Sequence, residues 1–528
     1  MQETKPLGAQ ISHMLKDRGV DVIFGIPGVH NQEMYRGIEE AGIRHVLARH
    51  EQGAGFMADG YARATGKPGV AYVITGPGLC NIMTPMGQAY SDSVSVLVLS
   101  SCLNETASRR GQLHQMLDQE AAARTVCDWS YQANSAKAAY DLVERALVEF
   151  KTQRPRSKHI QVPIGLLEGQ AISPPRQSTA LAETLATTNM DMTSLALALS
   201  SADKPLFVIG GGAAAAATAL REVVSACGAA CFETYAGRGI IAWDYPLNFG
   251  ATLARPSSAQ IMEQADCIVA IGTELAEVDL WRYHLGHDCP LYRIDIDPEC
   301  LADEHRAEVA IHARAEVSMT SLQQEITPSY SSWQVSAVAQ QRRAWRVESE
   351  AERPGIIAIV DALRESVPEN TMIYSDMTQF SYVANEVWPM TRPKHWHHPS
   401  GFGTLGYALP AAIGGAVARP GQPTMAIAGD YGFQYSVQEM GTAVELAQAL
   451  PIILWDNGKL KEIEDSMRSA QIAPNAVIAK NPNFIGLAKA YGAYAVAPET
   501  FAALQQAVIE AFAADRPTLI YLTPNICA

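Results

Sequence analysis

Two short turns near the C-terminal end of the chain carry oxygen atoms that could bind a metal ion. Asp430, in the sequence GDYG, directly follows a strand-like apolar run, and Asn457, in DNGK, follows the next one. Mg²⁺ suits such a pair because it accepts one or two protein oxygens and completes its octahedron with water and phosphate. Taken singly, the turns better fit an N-cap aspartate and a structural Asn-Gly turn. Together they indicate a metal site, with glycines and a following helix that let backbone N–H groups approach a diphosphate.

The apolar runs that precede such turns alternate with helix-like stretches in three segments of the chain. Runs such as SVLVLSS from Ser95, PLFVIGGG from Pro205 and PIILWDN from Pro451 are continuous rather than alternating in polarity. They are typical of parallel strands covered on both faces, in sheets whose ligands bind beyond the carboxyl ends of the strands. The sequence therefore predicts three doubly wound α/β domains. Their predicted bounds are residues 1–170, 186–326 and 352–528, with the proline-rich linker ISPPRQ after the first.

Composition argues against several classes of partner. The 528 residues include 40 Lys and Arg against 55 Asp and Glu, a net charge of −15, and there is no basic block. We therefore expect neither nucleic acid nor a membrane as a partner. The beginning of the sequence, MQETKPLGAQ, lacks the pattern of a secretory signal, and the nine cysteines form no CxxC pair. These features favour a cytoplasmic protein with reduced thiols and no zinc site.

Four motifs, spread over nearly the whole chain, resemble those of thiamine-diphosphate-dependent enzymes of the acetolactate synthase, 2-oxo acid decarboxylase and benzaldehyde lyase type. In order, they are RHEQGAGFMADGYARATGKPGV from Arg49, TGPGLCN from Thr75, SGFGTLGYALPAAIGG from Ser400 and GDYGFQYSVQE…DNGKL from Gly429. The resemblance implies a pyrimidine-binding, a central and a diphosphate-binding domain. It also implies thiamine diphosphate and Mg²⁺ as cofactors.

The resemblance assigns a catalytic role to Glu51. In the family, this carboxyl group bonds the N1′ atom of the aminopyrimidine and favours the imino tautomer, which removes the thiazolium C2 proton to give an ylide. The ylide attacks a substrate carbonyl and leads to an enamine intermediate. Leu405, in GTLGY, matches the bulky residue that holds the cofactor in its bent shape.

The remaining cofactor contacts follow from the same motifs. Asp430, the Asn457 side chain and the Lys459 carbonyl match the metal ligands, and Phe433 lies on the expected diphosphate side. The other positions that the resemblance places at the cofactor are Gly76, Gly403, Thr404, Gly429, Tyr431 and Gly432.

Histidines mark the expected substrate side of the site. His30, in GIPGVHN, falls where related carboligases carry an active-site histidine, and His114 and Gln115, in GQLHQ, fall near substrate-facing residues of relatives. A histidine suits proton relay near neutral pH, although a structural role is the alternative for each. Glu462, just past the metal loop, is a weaker candidate.

Two positions depart from the family pattern. Tyr431 replaces the third residue of the usual GDG, and Asp456 replaces the first residue of the usual Asn-Asn pair. Gly432 directly follows Tyr431, so the loop keeps one residue without a side chain. Asp456 adds negative charge near the expected metal and diphosphate, and neither change removes a metal ligand.

The leading expectation is non-oxidative decarboxylation of a 2-oxo acid. The stretch GIPGVHNQEMYRGI is similar to bacterial decarboxylases of 5-guanidino-2-oxopentanoate, which points to that substrate. The close alternative is a carboligase that forms or cleaves 2-hydroxyketones from 2-oxo acids or aldehydes. A cofactor-binding homologue without catalysis is a remote alternative, and an oxidoreductase reading of VIGGGAAAAA would leave Glu51 and Asp430 unexplained.

The family also implies assembly. In it the cofactor lies between the first domain of one subunit and the third of another, so we expect a homodimer or homotetramer. Acetolactate synthases bind FAD around the central domain, whereas most decarboxylases leave that domain empty. Because a lone glycine cluster is weak support for a nucleotide, we expect no FAD here.

Overall fold

The structure, a computed structural model, describes residues 4–105, 111–175, 192–478 and 480–527. The chain forms two compact units. The first comprises Met1–Thr184, Ile373–Thr378 and Gly401–Ala528, and the second comprises Leu185–Met372 and Gln379–Ser400. The predicted start of the central domain at residue 186, and the end of the predicted linker ISPPRQ, lie outside the described residues.

The first part of the chain folds around a parallel sheet. The strands in this part of the chain are β1 Thr4–Pro6, β2 Val22–Gly25, β3 Arg44–Leu47, β4 Gly69–Val73, β5 Val96–Cys102, β6 Trp129–Gln132, β7 Lys158–Pro163 and β8 Gln170–Ile172. The order of the sheet is β3-β2-β4-β5-β7-β6, while β1 pairs with β8 in antiparallel fashion. Every residue of β4 and β5 is buried, as expected of central strands covered on both faces. The helices are Leu7–Asp17, Gln32–Glu40, Glu51–Thr65, Pro77–Ser91, Gln119–Arg124, Ala136–Thr152 and Ile164–Glu168.

The second unit contains another parallel sheet. Its strands are β9 Pro205–Ile209, β10 Ala230–Glu233, β11 Asn248–Gly250, β12 Cys267–Ile271, β13 Leu291–Asp295 and β14 Val309–His312, in the order β11-β10-β9-β12-β13-β14. The α-helices are Thr193–Ser201, Ala217–Ala226, Ser258–Met262, Glu277–Leu280, Pro298–Leu301, Ala315–Glu325, Val335–Glu352, Ile356–Ser366 and Gln379–Val387, and the 3₁₀ helices are Gly211–Ala216 and Tyr235–Gly237. Helix Val335–Glu352 occupies the polar stretch between the predicted second and third domains, and it buries Trp345 against Phe249 of β11.

The C-terminal part of the chain supplies the third sheet. The strands are β15 Met372–Ser375, β16 Trp396–His397, β17 Thr424–Gly429, β18 Leu450–Trp455, β19 Tyr494–Val496 and β20 Pro517–Leu522. In the first unit their order is β15-β17-β18-β20-β19, and β17, β18, β20 and β19 pair in parallel. The helices are Ala408–Ala418, Asp430–Ser436, Met440–Glu445, Lys461–Ser469, Phe484–Tyr491 and Phe501–Phe512, with a 3₁₀ turn at Val437–Glu439.

These three parallel sheets, each flanked by helices, confirm the predicted fold class. The turns predicted to carry chemistry lie where expected, because Gly76 follows β4, Asp430 follows β17 and Asp456 follows β18. None of the helices in the described ranges is both long and apolar enough to cross a membrane.

A close helix crossing in the first unit makes a specific prediction about stability. Helix Glu51–Thr65 approaches helix Ala408–Ala418 so closely that a Cβ atom on Gly60 would lie 2.0 Å from the carbonyl oxygen of Ala411. Since backbone cannot yield as a flexible side chain does, we expect Gly60→Ala to lower the free energy of unfolding by about 1–3 kcal/mol. Urea denaturation followed by circular dichroism measures this change.

The matched control is Gly441→Ala in helix Met440–Glu445. A Cβ atom there would meet Arg49 Nε at 3.2 Å, an atom of a flexible side chain. Alanine also has the higher helix propensity, so this variant should keep or gain stability. Equal midpoints for the two variants would contradict the importance of the crossing at Gly60.

Candidate active site

The turn after β4 is held by a buried amide. The N–H group of Gly76 donates a hydrogen bond to Oε1 of Gln119 at 2.9 Å. Nε2 of Gln119 in turn donates to Ser100 Oγ at 3.1 Å and to the carbonyl of Ser101 at 2.9 Å, both on β5. Helix Pro77–Ser91 begins immediately after this turn. Its first residues are therefore fixed relative to the carboxyl end of β5.

Glu51 is the first residue of helix Glu51–Thr65. The preceding residue, His50, caps the helix by accepting a backbone N–H group with its ring nitrogen. Asn81, on helix Pro77–Ser91, donates a hydrogen bond from Nδ2 to Oε2 of Glu51 at 2.9 Å. The half-buried carboxylate is thus oriented by a neutral donor that occupies one of its two oxygens.

A second carboxylate holds the backbone that leads into Glu51. Oε1 of Glu439 accepts hydrogen bonds from the N–H groups of Arg49 and His50, each at 3.0 Å. A Cβ atom on Gly53 would lie 2.2 Å from this same oxygen, so any side chain there would displace the carboxylate of Glu439. Burial raises the pKa of Glu439 to about 7, although the backbone hydrogen bonds oppose the rise.

The structure brings two of the predicted substrate-side residues together. The Nδ1 atoms of His30 and His114 lie 3.3 Å apart, and the rings meet edge to face with centroids 4.8 Å apart. Burial, followed by the charge of His114, lowers the pKa of His30, while Glu168 opposes this effect. Gln115 Oε1 accepts the N–H group of Gln112 at 3.0 Å, so this oxygen is engaged within its own loop.

The segment GTLGY has an open backbone. Gly403 has a φ of +65°, and Met377 Cε, at 3.8 Å, is the nearest atom to a Cβ built on it among the described residues other than its two chain neighbours. Thr404 Oγ1 donates to the carbonyl of Leu405 at 3.2 Å, and Leu405 is half-buried. Gly429 precedes helix Asp430–Ser436 as its N-cap. The cofactor roles predicted for these residues stay predictions.

The loop GDYG packs against a buried aspartate that the motifs did not indicate. Asp376 accepts the N–H groups of Met377 at 2.9 Å and Gly406 at 3.0 Å. Burial raises its pKa to about 6, against the effect of these hydrogen bonds. A Cβ atom on Gly432 would lie 2.7 Å from Asp376 Oδ2, whereas Tyr431 is half-buried. The residue of the loop that has no room for a side chain at this contact is therefore Gly432, one position after the tyrosine.

Asp430 shares a hydrogen-bond donor with a second carboxylate. It begins helix Asp430–Ser436 and is buried. Nδ2 of Asn481 donates to Asp430 Oδ2 at 2.7 Å and to Asp456 Oδ1 at 2.9 Å, while Asn481 Oδ1 accepts from Gln434 Nε2 at 3.2 Å. Burial raises the pKa of Asp430 to about 6, Asn481 opposes the rise, and the charge of Asp456 adds to it.

The DNGK turn uses its two polar side chains differently. Asp456 Oδ2 accepts the hydroxyl of Tyr521 at 2.8 Å, and Oδ1 accepts the N–H group of Gly458 at 2.8 Å. Asn457 Oδ1 accepts the N–H group of Lys459 at 3.2 Å and so stays within its own turn. Of the two side chains, Asp456 is the one that shares a donor with the carboxylate after β17.

Comparison with known proteins identifies the family. Residues 6–122, 192–322 and 376–522 match, respectively, the N-terminal TPP binding domain, the central domain and the C-terminal TPP binding domain of thiamine pyrophosphate enzymes. The chain is also 38% identical over 543 residues to a Pseudomonas aeruginosa protein named probable 2-ketoarginine decarboxylase AruI, covering 100% of this chain and 95% of that protein. The chain belongs to the thiamine pyrophosphate enzyme family. It is therefore a thiamine-diphosphate-dependent enzyme, which confirms the resemblance carried by the four motifs.

Acetolactate synthases are more distant relatives of this thiamine pyrophosphate enzyme. The isozyme 2 large subunit of Escherichia coli is 28% identical over 92% of this chain and 89% of its own length. The isozyme 1 large subunit of the same organism is 27% identical over 91% of this chain and 87% of its own.

Several polar residues of the site were not found by sequence reasoning. They are Asn81, Gln119, Asp376, Glu439 and Asn481. Asn81 is the last residue of the motif TGPGLCN, and Glu439 is the last residue of GDYGFQYSVQE, so both lie inside motifs that the sequence had already indicated. Asn481, in KNPNF, lies in a separate loop with no motif to mark it.

The shared donor at the acidic pair leads to a prediction. Asn481→Ala removes the amide that bridges Asp430 and Asp456, and it leaves two buried acceptors with one hydrogen bond fewer each. We expect the free energy of unfolding in metal-free buffer to fall by about 1–3 kcal/mol. Denaturation of the protein in the presence of EDTA measures this loss.

Asn475→Ala is the matched control for this variant. Asn475 is exposed, and its Nδ2 atom donates to the nearby carbonyl of Ala473, at 3.2 Å. Its replacement should change the unfolding free energy by less than about 0.5 kcal/mol. If Asn481→Ala had the same free energy of unfolding as this control, the bridging amide would not contribute to stability.

Proposed function

We propose that this thiamine pyrophosphate enzyme catalyses the non-oxidative decarboxylation of a 2-oxo acid and requires Mg²⁺. The observation that carries the proposal is the 38% identity, over the whole chain, to a protein named as a 2-ketoarginine decarboxylase. Acetolactate synthases, which represent the carboligase alternative, are 27–28% identical over less of the chain. The retained Glu51 argues against a homologue that has lost catalysis.

The donor set after β17 and β18 fits a magnesium ion and a diphosphate. Asp430 and Asp456 are buried carboxylates whose described hydrogen-bond donors are neutral, and no lysine or arginine within the described ranges forms an ion pair with either. A divalent cation would offset this negative charge. Asp430, the Asn457 side chain and the Lys459 carbonyl would hold Mg²⁺ through oxygen atoms. Backbone N–H groups at the start of helix Asp430–Ser436 would face the diphosphate.

Residues of the first domain would act at the other end of the cofactor. When bound, thiamine diphosphate supplies a carbon nucleophile that attacks the 2-oxo group and accepts the electron pair released with CO₂. Glu51 would hold a proton at the pyrimidine ring with Oε1, because Asn81 already engages Oε2. Leu405, which belongs to the third domain and not to the first, would position the bent cofactor. His30 and His114 would hold or pass a proton on the substrate side.

The substrate we favour is 5-guanidino-2-oxopentanoate. Its 2-oxo acid group suits the expected chemistry, and its guanidinium requires an acidic partner. Glu168 is exposed and raises the pKa of His30 against the effect of burial, so we assign it as the carboxylate that meets that guanidinium. Glu168→Gln should therefore raise KM for this compound but leave KM for uncharged 2-oxo acids unchanged.

A substrate panel with one active-site variant tests the proposed reaction. The protein is incubated with thiamine diphosphate, Mg²⁺ and either 5-guanidino-2-oxopentanoate, 4-methyl-2-oxopentanoate or pyruvate. We expect CO₂ and an aldehyde, and no turnover after EDTA removes the metal. Glu51→Gln should lower kcat by about 10²–10⁴-fold, because it removes the proton-holding carboxyl group.

Glu39→Gln is the control for the panel, since Glu39 is an exposed glutamate on helix Gln32–Glu40 and should leave kcat unchanged. A 2-hydroxyketone as the main product would establish the carboligase instead. Full activity of Glu51→Gln would overturn the proposed role of that carboxylate.

The pH dependence of the reaction tests the histidine pair. Burial lowers the pKa of His30 from its ordinary value of 6.5, so His30 is neutral at pH 7 and gains its proton only at lower pH. If neutral His30 accepts a proton during the reaction, kcat/KM falls as the pH drops through a value below 6.5. His30→Gln should remove this inflection and lower kcat/KM by about 10²-fold. His312→Gln, at an exposed histidine of the second unit, should keep the wild-type profile.

We also propose that the enzyme is a homodimer or homotetramer of the cytoplasm. The family resemblance supports assembly, because the expected cofactor site then uses residues of two subunits. The nine free cysteines fit a reducing compartment.

A further inference from the structure

The second unit contains a cavity of about 280 Å³, formed without any of the residues proposed to bind thiamine diphosphate. Its inner surface includes the buried rings of Phe249 and Trp345, which meet edge to face with centroids 5.9 Å apart. Trp243, which is half-buried, forms another part of the wall. Arg342 and Arg343, from helix Val335–Glu352, also line the cavity. The cavity is therefore lined by both aromatic side chains and guanidinium groups.

The two arginines have few partners of their own. The guanidinium of Arg342 lies over the ring of Trp243, 4.0 Å from its centroid, and Nη1 donates to the Trp243 carbonyl at 3.3 Å. This is its one hydrogen bond among the described residues, and burial lowers the pKa of Arg342, although Cys231 and Glu233 oppose the shift. Arg343 is exposed and forms neither a hydrogen bond nor an ion pair with any residue that the structure describes. Both groups retain N–H donors for an anion.

The other charged side chains that line the cavity each have a partner of opposite charge. Glu386 forms an ion pair with Arg255, with a shortest distance of 2.6 Å, and Arg346 forms one with Asp361. The lining thus carries two positive charges, on Arg342 and Arg343, that no lining carboxylate balances. Such an excess, next to aromatic surface, favours an anion that also has a flat apolar part.

We propose that this cavity is a binding site for a small aromatic carboxylate, separate from the catalytic site. The ring would pack against Trp243, Phe249 and Trp345, and the carboxylate would accept hydrogen bonds from Arg342 and Arg343. A planar guanidinium presents paired N–H donors that match a carboxylate. The volume lies just below the range of about 300–1,000 Å³ typical of drug-sized ligands, which limits the occupant to about the size of benzoate or a slightly larger ring acid.

Isothermal titration calorimetry with benzoate tests the site on the full-length protein. We expect one binding event per chain, weakened by added NaCl because it depends on charge. Arg342→Gln and Arg343→Gln should each weaken benzoate binding by about tenfold or more. Arg306→Gln, at an exposed arginine outside the cavity, should bind benzoate like the wild type. Because Arg343 is exposed, its variant keeps the test valid even if Arg342→Gln fails to fold.

Two further probes and one further variant decide what the cavity recognises. Benzamide, which keeps the ring but not the charge, and sulfate, which keeps the charge but not the ring, should both bind at least about tenfold more weakly. Glu51→Gln should bind benzoate normally, so the outcome is independent of the proposed decarboxylation. The proposal is overturned if benzoate shows no saturable binding, if sulfate or benzamide binds equally well, or if Glu51→Gln rather than the arginine variants weakens binding.

Discussion

The buried carboxylate of Glu439 joins the two ends of the first unit. Residues Arg49 and His50 present backbone N–H groups just before a helix begins, where such donors have no partner within the helix. A negative group is also favoured there by the helix dipole. The position of Glu51 thus depends on a side chain 389 residues from His50. Desolvation of the carboxylate opposes this arrangement, and the hydrogen bonds from the backbone offset part of that cost.

The sheets were predictable from sequence because their strands are buried on both faces. Each residue of β5 and of β18 is buried, so the apolar residues of these strands are consecutive, and the chemistry-bearing turn after β18 stands out. The turn after β17 indicated Asp430 directly, and the family motifs then added Glu51. These residues lie directly at the start of helices that follow strands or a strand-like segment, where local sequence fixes the position of the side chain.

The side-chain partnerships within the site were not predictable in the same way. Asp456 was identified as a departure from the family pattern, but its contact with Asn481 depends on two loops that no local rule connects. Asn457 was expected to face the metal, and in this structure its oxygen accepts a hydrogen bond within its own turn. Tyr431, the other departure from the family pattern, is accommodated because the close approach to Asp376 falls on Gly432, one residue later.

The contacts between the helices Glu51–Thr65 and Ala408–Ala418 also bear on how the protein is made. The hydroxyl of Tyr407 donates to the buried Asp59 at 2.8 Å, and these residues are 348 positions apart. During synthesis, the surface of helix Glu51–Thr65 that packs against helix Ala408–Ala418 stays uncovered until the ribosome has translated the whole second unit. Nearly all of the second unit is one stretch of chain, Leu185–Met372, so this unit can fold before the first unit is complete. Completion of the first unit is thus a late, long-range event, the kind of closure that makes folding slow and chaperone assistance valuable.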